Sequence, residues 1–154
     1  MKFILVLGIV ALLIVVGVGL YVTDFVAYLG NNPTTCNNCH VMDSVYESWY
    51  HGSHQAWATC GDCHTPHALI PKYITKGISG YHHVSAFILG KIPDAIRAKR
   101  DSLEVVQDNC VRCHTDTVDA ILEMSLNYER FCFDCHRHVS HGERGVSLLP
   151  YQDK

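Results

Sequence analysis

The eight cysteines constrain this chain more than any other feature, because all of them fall into four Cys-x-x-Cys-His pentapeptides. The pentapeptides are Cys36–His40, Cys60–His64, Cys110–His114 and Cys132–His136, and their second cysteines are Cys39, Cys63, Cys113 and Cys135. At the chain's own Cys and His frequencies, roughly 0.03 such motifs would arise by chance. The pattern therefore indicates one specific chemistry rather than a bias in composition.

Cys-x-x-Cys-His is the attachment motif of c-type haem. Its two thiols add to the two vinyl groups of one haem, and the histidine that follows lies under the iron as an axial ligand. Zinc sites also use paired cysteines, but they need no histidine directly after the second one. A disulfide framework needs no histidine at all. The sequence therefore predicts four covalently bound haem c groups.

The chain length limits the fold class, and the net charge limits the class of partner. About 120 residues outside the N-terminal segment carry four haems, which leaves about 30 residues for each, too few to enclose every porphyrin in its own protein core. We predict a mostly α-helical protein with extensive irregular structure: one N-terminal transmembrane helix, then a compact multihaem domain whose core is largely haem. The net charge of −3 lacks the basic surplus typical of nucleic-acid binding, so no nucleic-acid partner is expected.

The N-terminus is apolar, since residues 3–22 contain no charge and are rich in Ile, Leu and Val. As a helix this run would span about 30 Å, the thickness of a bilayer's hydrocarbon core. The alternative is a cleavable signal peptide, but its apolar core is usually only about 7–15 residues long. Lys2 favours a cytoplasmic N-terminus. We predict a single-pass anchor over residues 1–30, in the bacterial inner (cytoplasmic) membrane, with the haem domain on the periplasmic side.

The motifs divide the tetrahaem domain, residues 31–154, into two dihaem halves of about 31–67 and 103–154, joined by a segment of about 68–102. We expect helices over 43–50, from Pro93-Asp94 towards Arg100, from Leu103 into the third motif, and over 116–130. Residues 68–92 combine three lysines and no acid with aromatic, Ile and Leu residues. That composition suits a segment in the membrane interface, and equally a buried loop packed on haem edges.

Further histidines supply candidates for second axial ligands. Low-spin electron-transfer haems commonly bind a second His or Met, which tunes the potential. Seven histidines lie outside the motifs: His51, His54, His67, His82, His83, His138 and His141. Seven exceeds four open positions, so some of them are ordinary imidazoles. Met42, two residues after His40, is also within reach of the first iron, although a methionine so placed is more often a packing residue.

Four strings carry a resemblance to a known family. They are Cys39-His40-Val41-Met42, His51-Gly52-Ser53-His54, Lys72-Tyr73-Ile74 and Val139-Ser140-His141-Gly142. Together with the anchor and the four motifs, they resemble the NapC/NirT family of membrane tetrahaem quinol dehydrogenases over essentially the whole chain. The short length is most similar to the branch that forms the small subunit of cytochrome c nitrite reductase. The resemblance implies a subunit that oxidises menaquinol and passes electrons to a multihaem partner, a pentahaem enzyme reducing nitrite to ammonium.

The resemblance also implies roles for individual residues. Met42 would be the protein ligand of the first haem in place of His40. His54 and His141 would be the distal ligands of the third and fourth haems, which His114 and His136 bind from the other side. The second haem, with His64 on one side, would take its distal ligand from the partner subunit, a lysine.

The quinol site is implied by the same resemblance. Lys72 would border the quinol pocket beside the first haem. The family pattern Lys-x-x-Asp-Gly reads Lys76-Gly77-Ile78-Ser79-Gly80 here, with Ser79 in place of the carboxylate. A serine cannot accept a quinol proton as a carboxylate can. Proton acceptance would then move to His82 or His83, because histidine titrates near neutral pH.

Two other kinds of function stay open from the sequence. A passive membrane-anchored cytochrome would receive electrons from another membrane protein and have no quinol site. A terminal enzyme would itself reduce a small substrate at an open haem. Within the family, related quinol dehydrogenases also feed other periplasmic reductases. An open first haem and sensitivity to quinol-analogue inhibitors favour the dehydrogenase, whereas six-coordinate spectra for all four haems favour the passive cytochrome.

Overall fold

The computed structural model describes residues 2–93, 96–124, 130–136 and 138–141. The described residues form helices joined by turns and irregular stretches and contain no strand, which confirms the predicted fold class. The helices are α1 (Lys2–Val22), α2 (Pro33–Cys36), α3 (Asp43–Tyr50), α4 (Cys60–His64), α5 (Leu69–Ile88), α6 (Arg100–Cys113), α7 (Thr115–Met124) and α8 (Cys132–Cys135). Two 3₁₀ turns, Phe25–Leu29 and His40–Met42, lie between them.

Helix α1 is the described helix that is long and apolar enough to cross a membrane, with a mean hydropathy of 3.2 and no residue buried by the rest of the chain. Helix α1 ends at a bend in the chain. Thr23 Oγ1 donates to the Gly19 carbonyl over 2.8 Å, and Asp24 adopts the left-handed backbone conformation with φ 48°. The chain then enters the Phe25–Leu29 turn, and the first haem motif begins at Cys36, 14 residues after the end of α1.

Side-chain caps start three of the four helices that carry haem-motif cysteines, namely α2, α4 and α8. The Asn32 side chain accepts hydrogen bonds from the Thr34 amide and hydroxyl at 3.1 and 2.8 Å at the start of α2. At α4, the Asp62 carboxylate accepts bonds from the Thr59 amide and hydroxyl at 2.9 and 2.7 Å. Asp134 does the same for the Phe131 amide at α8, over 3.0 Å. These bonds satisfy amides that a helix start leaves without partners.

The Asp62 cap predicts a pH-dependent contribution to stability. Partial burial opposes ionisation of Asp62, yet the bonds from Thr59 hold the pKa of this carboxyl below its ordinary value. A lowered folded-state pKa stabilises the fold above about pH 4, and the contribution is lost as the pH falls through the folded-state pKa. An Asp62→Asn variant should therefore lose about 1 kcal/mol of unfolding free energy at pH 7.

Denaturant unfolding of the haem-loaded protein in detergent measures this effect. The difference between Asp62→Asn and the parent should shrink as the pH falls from about 4 through the lowered folded-state pKa, where the carboxylate of the folded parent takes up its proton. Asp101→Asn is the matched control, because Asp101 lies in the first turn of α6 and is exposed. A stability difference that stays constant down to pH 3 would refute the assigned role of the Asp62 carboxylate.

Residues 69–88 form helix α5, so the buried-loop alternative for residues 68–92 is wrong. Pro71 lies in the first turn, where the backbone amides have no helical acceptor and a missing N–H costs nothing. The helix ends at Ile88, and Gly90 follows with φ 62°; the amides of Gly90 and Lys91 bond the carbonyls of Phe87 and Ala86. The proline and glycines of this segment are thus a first-turn proline, two helical glycines and a left-handed glycine after the helix end.

The predictions for the remaining helices are partly right. The helix over 43–50 is α3, and the helix leading from Leu103 into the third motif is α6. A helix starting at Pro93-Asp94 is wrong where it can be compared, since residues 96–99 are irregular and α6 begins at Arg100; Asp94 lies outside the described residues. Helix α7 confirms the start of the predicted helix over 116–130, whereas Arg130 lies in a bend.

The side chains of this protein alone form almost no buried hydrophobic core. In the part of the chain that the structure describes, Trp49 is the one buried hydrophobic residue, 8% exposed, and its Nε1 donates to the Ala58 carbonyl over 3.1 Å. The accessible surface is 12684 Å², whereas a compact monomer of this mass would have about 7,800 Å². The apolar interior must therefore be completed by groups other than this chain's side chains, as expected for a core that is largely haem.

Candidate haem-binding centre

The four Cys-x-x-Cys-His motifs lie side by side in sequence order. Helix α2 packs on α4, α4 on α6, and α6 on α8. The Cys60 thiol hydrogen-bonds to Cys36, which lowers the pKa of Cys36 to about 7 and raises that of Cys60. Burial raises the pKa of Cys110 to about 11, and the nearby thiols of Cys132 and Cys63 raise it further. Each motif thus touches the next, and the first lies beside the turn that follows the anchor.

His54 faces His114, the histidine of the third motif. Their ring centroids are 6.2 Å apart, at an interplanar angle of 71°. Metal–imidazole bonds are about 2.0 Å long, so two rings on opposite sides of one iron have centroids about 6 Å apart. His54 Nδ1 lies 2.9 Å from the Val139 carbonyl oxygen. A carbonyl only accepts, so Nδ1 carries the proton and Nε2 is left with the lone pair that binds a metal.

His141 faces His64, the histidine of the second motif, with 6.1 Å between ring centroids and an interplanar angle of 44°. Desolvation by neighbouring protein atoms lowers the pKa of both imidazoles; the charge of His141 lowers the pKa of His64 further, and a hydrogen bond to the Val45 backbone opposes the shift at His141. The Nδ1 atom of His141 is buried without a hydrogen-bond partner among the described residues. Both rings are therefore kept neutral, the state in which imidazole binds iron.

The two distal histidines lie in one small cluster formed by residues 51–54 and 139–141. Ser53 Oγ donates to the Val139 carbonyl over 2.9 Å, the same oxygen that His54 binds. Gly52 lies so close to the Ser140 carbonyl that a Cβ at position 52 would stand 2.8 Å from its oxygen. The strings His51-Gly52-Ser53-His54 and Val139-Ser140-His141 are thus parts of one structure, and Gly52 is needed for their close approach.

The resemblance implies that His54 binds the third haem and His141 the fourth, with a partner lysine at the second. The structure places the His54 ring beside that of His114 and the His141 ring beside that of His64. Residues 51–54 contact residues 139–141 through the Val139 carbonyl and the close approach of Gly52 to Ser140. No ring contact for His136 is found within the described residues, and its side chain is exposed.

The paired imidazoles fit haem better than a bare metal ion. In the described ranges, no three or more His, Cys, Asp or Glu side chains come together in a group that could hold an ion. Each pair offers only two nitrogens, on opposite sides of a gap of porphyrin thickness. A porphyrin supplies the other four ligands, and each pair is flanked by the thiols of its own motif. The residues present therefore fit c-type haem.

The first motif is arranged differently. The His40 side chain is 97% exposed, and its Nδ1 lies 3.2 Å from Asp43 Oδ2. Met42 is half-buried in the turn that leads into α3. The motif histidine is thus turned to solvent, whereas Met42 is partly covered.

The candidate quinol residues all lie on α5. At 100° per residue, Lys72, Lys76, Ser79 and His83 fall within a stripe about 60° wide, whereas His82 lies about 80° away from Lys72. Lys72, Lys76 and Ser79 are half-buried, and both histidines are exposed. The structure therefore brings Lys72, Ser79 and His83 to one face and separates His82 from them.

Lys76 joins α5 to the end of the anchor. Its Nζ donates to the Tyr28 and Leu29 carbonyls at 3.2 Å, to the Gly30 carbonyl, and to Asn31 Oδ1 at 3.4 Å. Desolvation and the charge of Lys72 lower the pKa of Lys76, and the nearby Cys36 thiol opposes the shift. Cations stabilise the C-terminal carbonyls of a helical turn. Lys76 therefore holds α5 against the Phe25–Leu29 turn.

The opposite face of α5 is apolar and open. It carries the side chains of Ile70, Tyr73, Ile74, Ile78, Tyr81, Val84 and Ile88, which are 44–74% exposed. In a water-soluble protein the apolar face of a helix packs inward and the lysines point out. Here the polarity is inverted, and the apolar face lies level with the end of the membrane helix.

Sequence reasoning missed two residues of α6 that connect the motifs. Asn109 Nδ2 donates to the carbonyls of Cys63 and Thr65, both at 3.0 Å. Gln107 Oε1 accepts from the Cys132 amide over 2.8 Å. No sequence pattern marks either residue, because each bond joins segments at least 25 residues apart.

Comparisons with known proteins agree with this centre. A family model described as NapC/NirT cytochrome c family, N-terminal region, matches residues 1–145. Cytochrome c-type protein NrfH from Wolinella succinogenes is 34% identical over 97% of this chain and 93% of its own length. Cytochrome c nitrite reductase subunit NrfH from Nitratidesulfovibrio vulgaris is 39% identical over 69% of this chain and 65% of its own. A crystal structure of the cytochrome c nitrite reductase NrfHA complex bound to the inhibitor HQNO matches with a TM-score of 0.69 and 32% identity, over 97% of this chain and 99% of the matched chain.

Proposed function

The chain belongs to the NapC/NirT cytochrome c family, and from that premise we propose that it is a membrane-anchored tetrahaem cytochrome that oxidises menaquinol and passes the electrons to a multihaem nitrite reductase. The observation that carries the proposal is the order of the motifs. They touch one another from first to fourth, and the first lies beside the membrane exit. Electrons taken from a lipid-soluble donor at one end would leave at the other.

Haem c supplies one-electron redox chemistry when it is bound at these motifs. The chain supplies the positions. The His54–His114 and His64–His141 pairs would hold the third and second haems in six-coordinate form, and Met42 would bind the first from one side only. An open first site next to the membrane is where a quinol would be oxidised, and neutral imidazole pairs suit the centres that only relay electrons.

Two elements would hold the protein at the membrane. Helix α1 would cross the bilayer of the inner membrane, with the N-terminus in the cytoplasm and residues 31–154 in the periplasm. The apolar face of α5 would lie in the interface, because its inverted polarity suits acyl chains on one side and the protein on the other. Residues 68–102 are thus proposed as an interfacial segment between the dihaem halves 31–67 and 103–154.

The quinol pocket would lie along the Lys72 stripe of α5. Lys72 would bind a quinol oxygen, and Ser79 would donate or accept a hydrogen bond without taking the proton. His83 is the better proton acceptor, because it shares this stripe and His82 does not. Lys76 is excluded as a proton acceptor, since its ammonium group is already engaged with the Tyr28, Leu29 and Gly30 carbonyls.

The partner would be a multihaem catalytic subunit like the one that the NrfHA complex contains. The lysine that the resemblance assigns to the partner would bind the fourth haem rather than the second, because His141 already faces His64.

Co-purification in mild detergent tests this assignment. The protein should carry a pentahaem cytochrome with it, and the purified complex should reduce nitrite to ammonium at the expense of a menaquinol analogue. A complex with a different terminal reductase would leave quinol oxidation intact and overturn the nitrite partner. Isolation with a membrane dehydrogenase as electron donor would instead favour a passive cytochrome.

The Lys76 contact predicts a loss of quinol reactivity when it is removed. A Lys76→Met variant keeps the aliphatic stem and loses all four hydrogen bonds to residues 28–31. Hydrogen bonds from a charged group contribute about 1.5–3 kcal/mol each when they are well formed. Reduction by a menaquinol analogue should therefore slow by at least about tenfold, because α5 no longer fixes the pocket against the first motif.

Stopped-flow absorbance of the haems in detergent micelles measures this rate. Lys91→Met is the matched control, since Lys91 is exposed beyond the end of α5. Reduction by dithionite should be the same in all three proteins. A Lys76→Met protein reduced by quinol at the parent rate would show that this contact does not shape the pocket.

A further inference from the structure

Asn109 is the most deeply buried polar residue in the described part of the chain, with 7% of its surface exposed. It lies in α6 directly before Cys110, the first attachment point of the third haem motif. Its amide is fully used. Nδ2 donates to the carbonyls of Cys63 and Thr65, both at 3.0 Å, and Oδ1 accepts from Arg112 Nε over 3.4 Å.

The two acceptors identify what Asn109 holds. Cys63 and Thr65 are the residues on either side of His64, so their carbonyls belong to the backbone that carries this imidazole. Carbonyls only accept, which fixes the Asn109 amide with Nδ2 towards them. The buried Asn109 side chain thus links α6, directly before the first cysteine of the third motif, to the backbone that carries His64.

We propose that Asn109 is a positioning residue that sets His64 of the second haem against the Cys110 attachment point of the third. This proposal rests on the proposed tetrahaem function in one respect only, because it requires haem at the second and third motifs. Asn109 touches neither the quinol site nor the reacting atoms. It acts through the orientation of the His64 ring and through the spacing between the second and third centres, at the middle of the electron path.

The side chains of Asn109 and Gln107, both on α6, contact different haem motifs. Gln107 Oε1 accepts from the Cys132 amide at the start of the fourth motif, over 2.8 Å. Loss of Gln107 should therefore disturb the junction of the third and fourth motifs and leave His64 in place. Glu104 is an exposed residue of the same helix that pairs with Arg100, whose guanidinium lies 5.0 Å from the centroid of the Phe131 ring.

The test compares Asn109→Leu, which removes every side-chain hydrogen bond and keeps the branching at Cγ, with the Gln107→Leu and Glu104→Gln variants of the full chain. Intact mass first establishes that each protein carries four haems. Hydrogen exchange followed by mass spectrometry should show residues 59–67 exchanging at least about tenfold faster in Asn109→Leu, because two buried bonds are lost. Gln107→Leu should instead loosen residues 131–136, and Glu104→Gln should leave the exchange of residues 59–67 unchanged.

The second measurement is electron paramagnetic resonance of the oxidised protein. The low-spin signal removed by a His64→Gly variant identifies the second haem, and its g values should shift in Asn109→Leu alone, because they report the angle between the two axial rings. If Asn109→Leu does not accumulate, Asn109→Asp, which keeps the size and loses the donors, decides. Unchanged exchange at 59–67 with an unchanged signal, or faster exchange spread evenly over the whole chain, would overturn the proposal. Failure of quinol oxidation alone would not affect it.

Discussion

A His141→Gly variant should lose one low-spin haem signal and gain a high-spin one, and added imidazole should restore the parent spectrum. The reason is the pairing of His141 with His64 at 6.1 Å between ring centroids. Removal of one axial ligand leaves a five-coordinate iron, and the space vacated by the side chain admits free imidazole. The change should be complete for one haem in four, since no other described imidazole faces His64.

Paramagnetic resonance also tests which haem is affected. His64→Gly and His141→Gly should each alter the same low-spin signal, because both residues would bind one iron. His51→Ala is the control, since that side chain is exposed and lies 3.5 Å from Glu47. If the two variants alter different signals, the pairing is contradicted and His141 returns to the fourth haem, as the resemblance first implied.

A His54→Met variant should raise the potential of the third haem and slow electron flow through the protein. Replacing an axial His by Met raises haem potentials within the span of about 0.8 V that axial ligands cover. A rise of about 0.1 V would make onward transfer to the fourth centre about fiftyfold less favourable, because 59 mV corresponds to tenfold for one electron. The third centre would then hold the electron.

Redox titration followed by nitrite turnover measures both consequences. One of the four midpoint potentials should rise while quinol still reduces the protein, and nitrite reduction by the complex should fall. Ser53→Ala removes a neighbouring bond to the Val139 carbonyl without changing a ligand, so its potentials should stay close to those of the parent. Unchanged potentials in His54→Met would show that His54 is not a haem ligand.

The haem motifs, the anchor and helices α3 and α6 could be predicted from the sequence, because their signals are local. A Cys-x-x-Cys-His motif carries its own chemistry, and an apolar run of twenty residues carries its own length. Helix α5 could not be predicted. Its Gly77, Gly80 and Pro71 favour a loop on local grounds, whereas its stability depends on contacts with residues 28–31, more than 40 positions away.

The axial pairing was likewise out of reach of local reasoning. The resemblance implies the fourth haem for His141, whereas the His141 ring lies beside that of His64. The bond between His54 and the Val139 carbonyl, two residues before His141, joins residues 85 positions apart. Asn109 and Gln107 give no sequence signal for the same reason. Long-range hydrogen bonds between the motif segments determine this architecture, and composition does not record them.

Quinol oxidation at the membrane end of an ordered set of four haems is the central claim, and the reduction of the purified, haem-loaded protein by a menaquinol analogue tests it most directly. All four haems should become reduced, an inhibitor that resembles the quinol should block the reaction, and dithionite should still reduce the inhibited protein. A protein that dithionite reduces fully but that stays oxidised with excess menaquinol analogue would contradict the account.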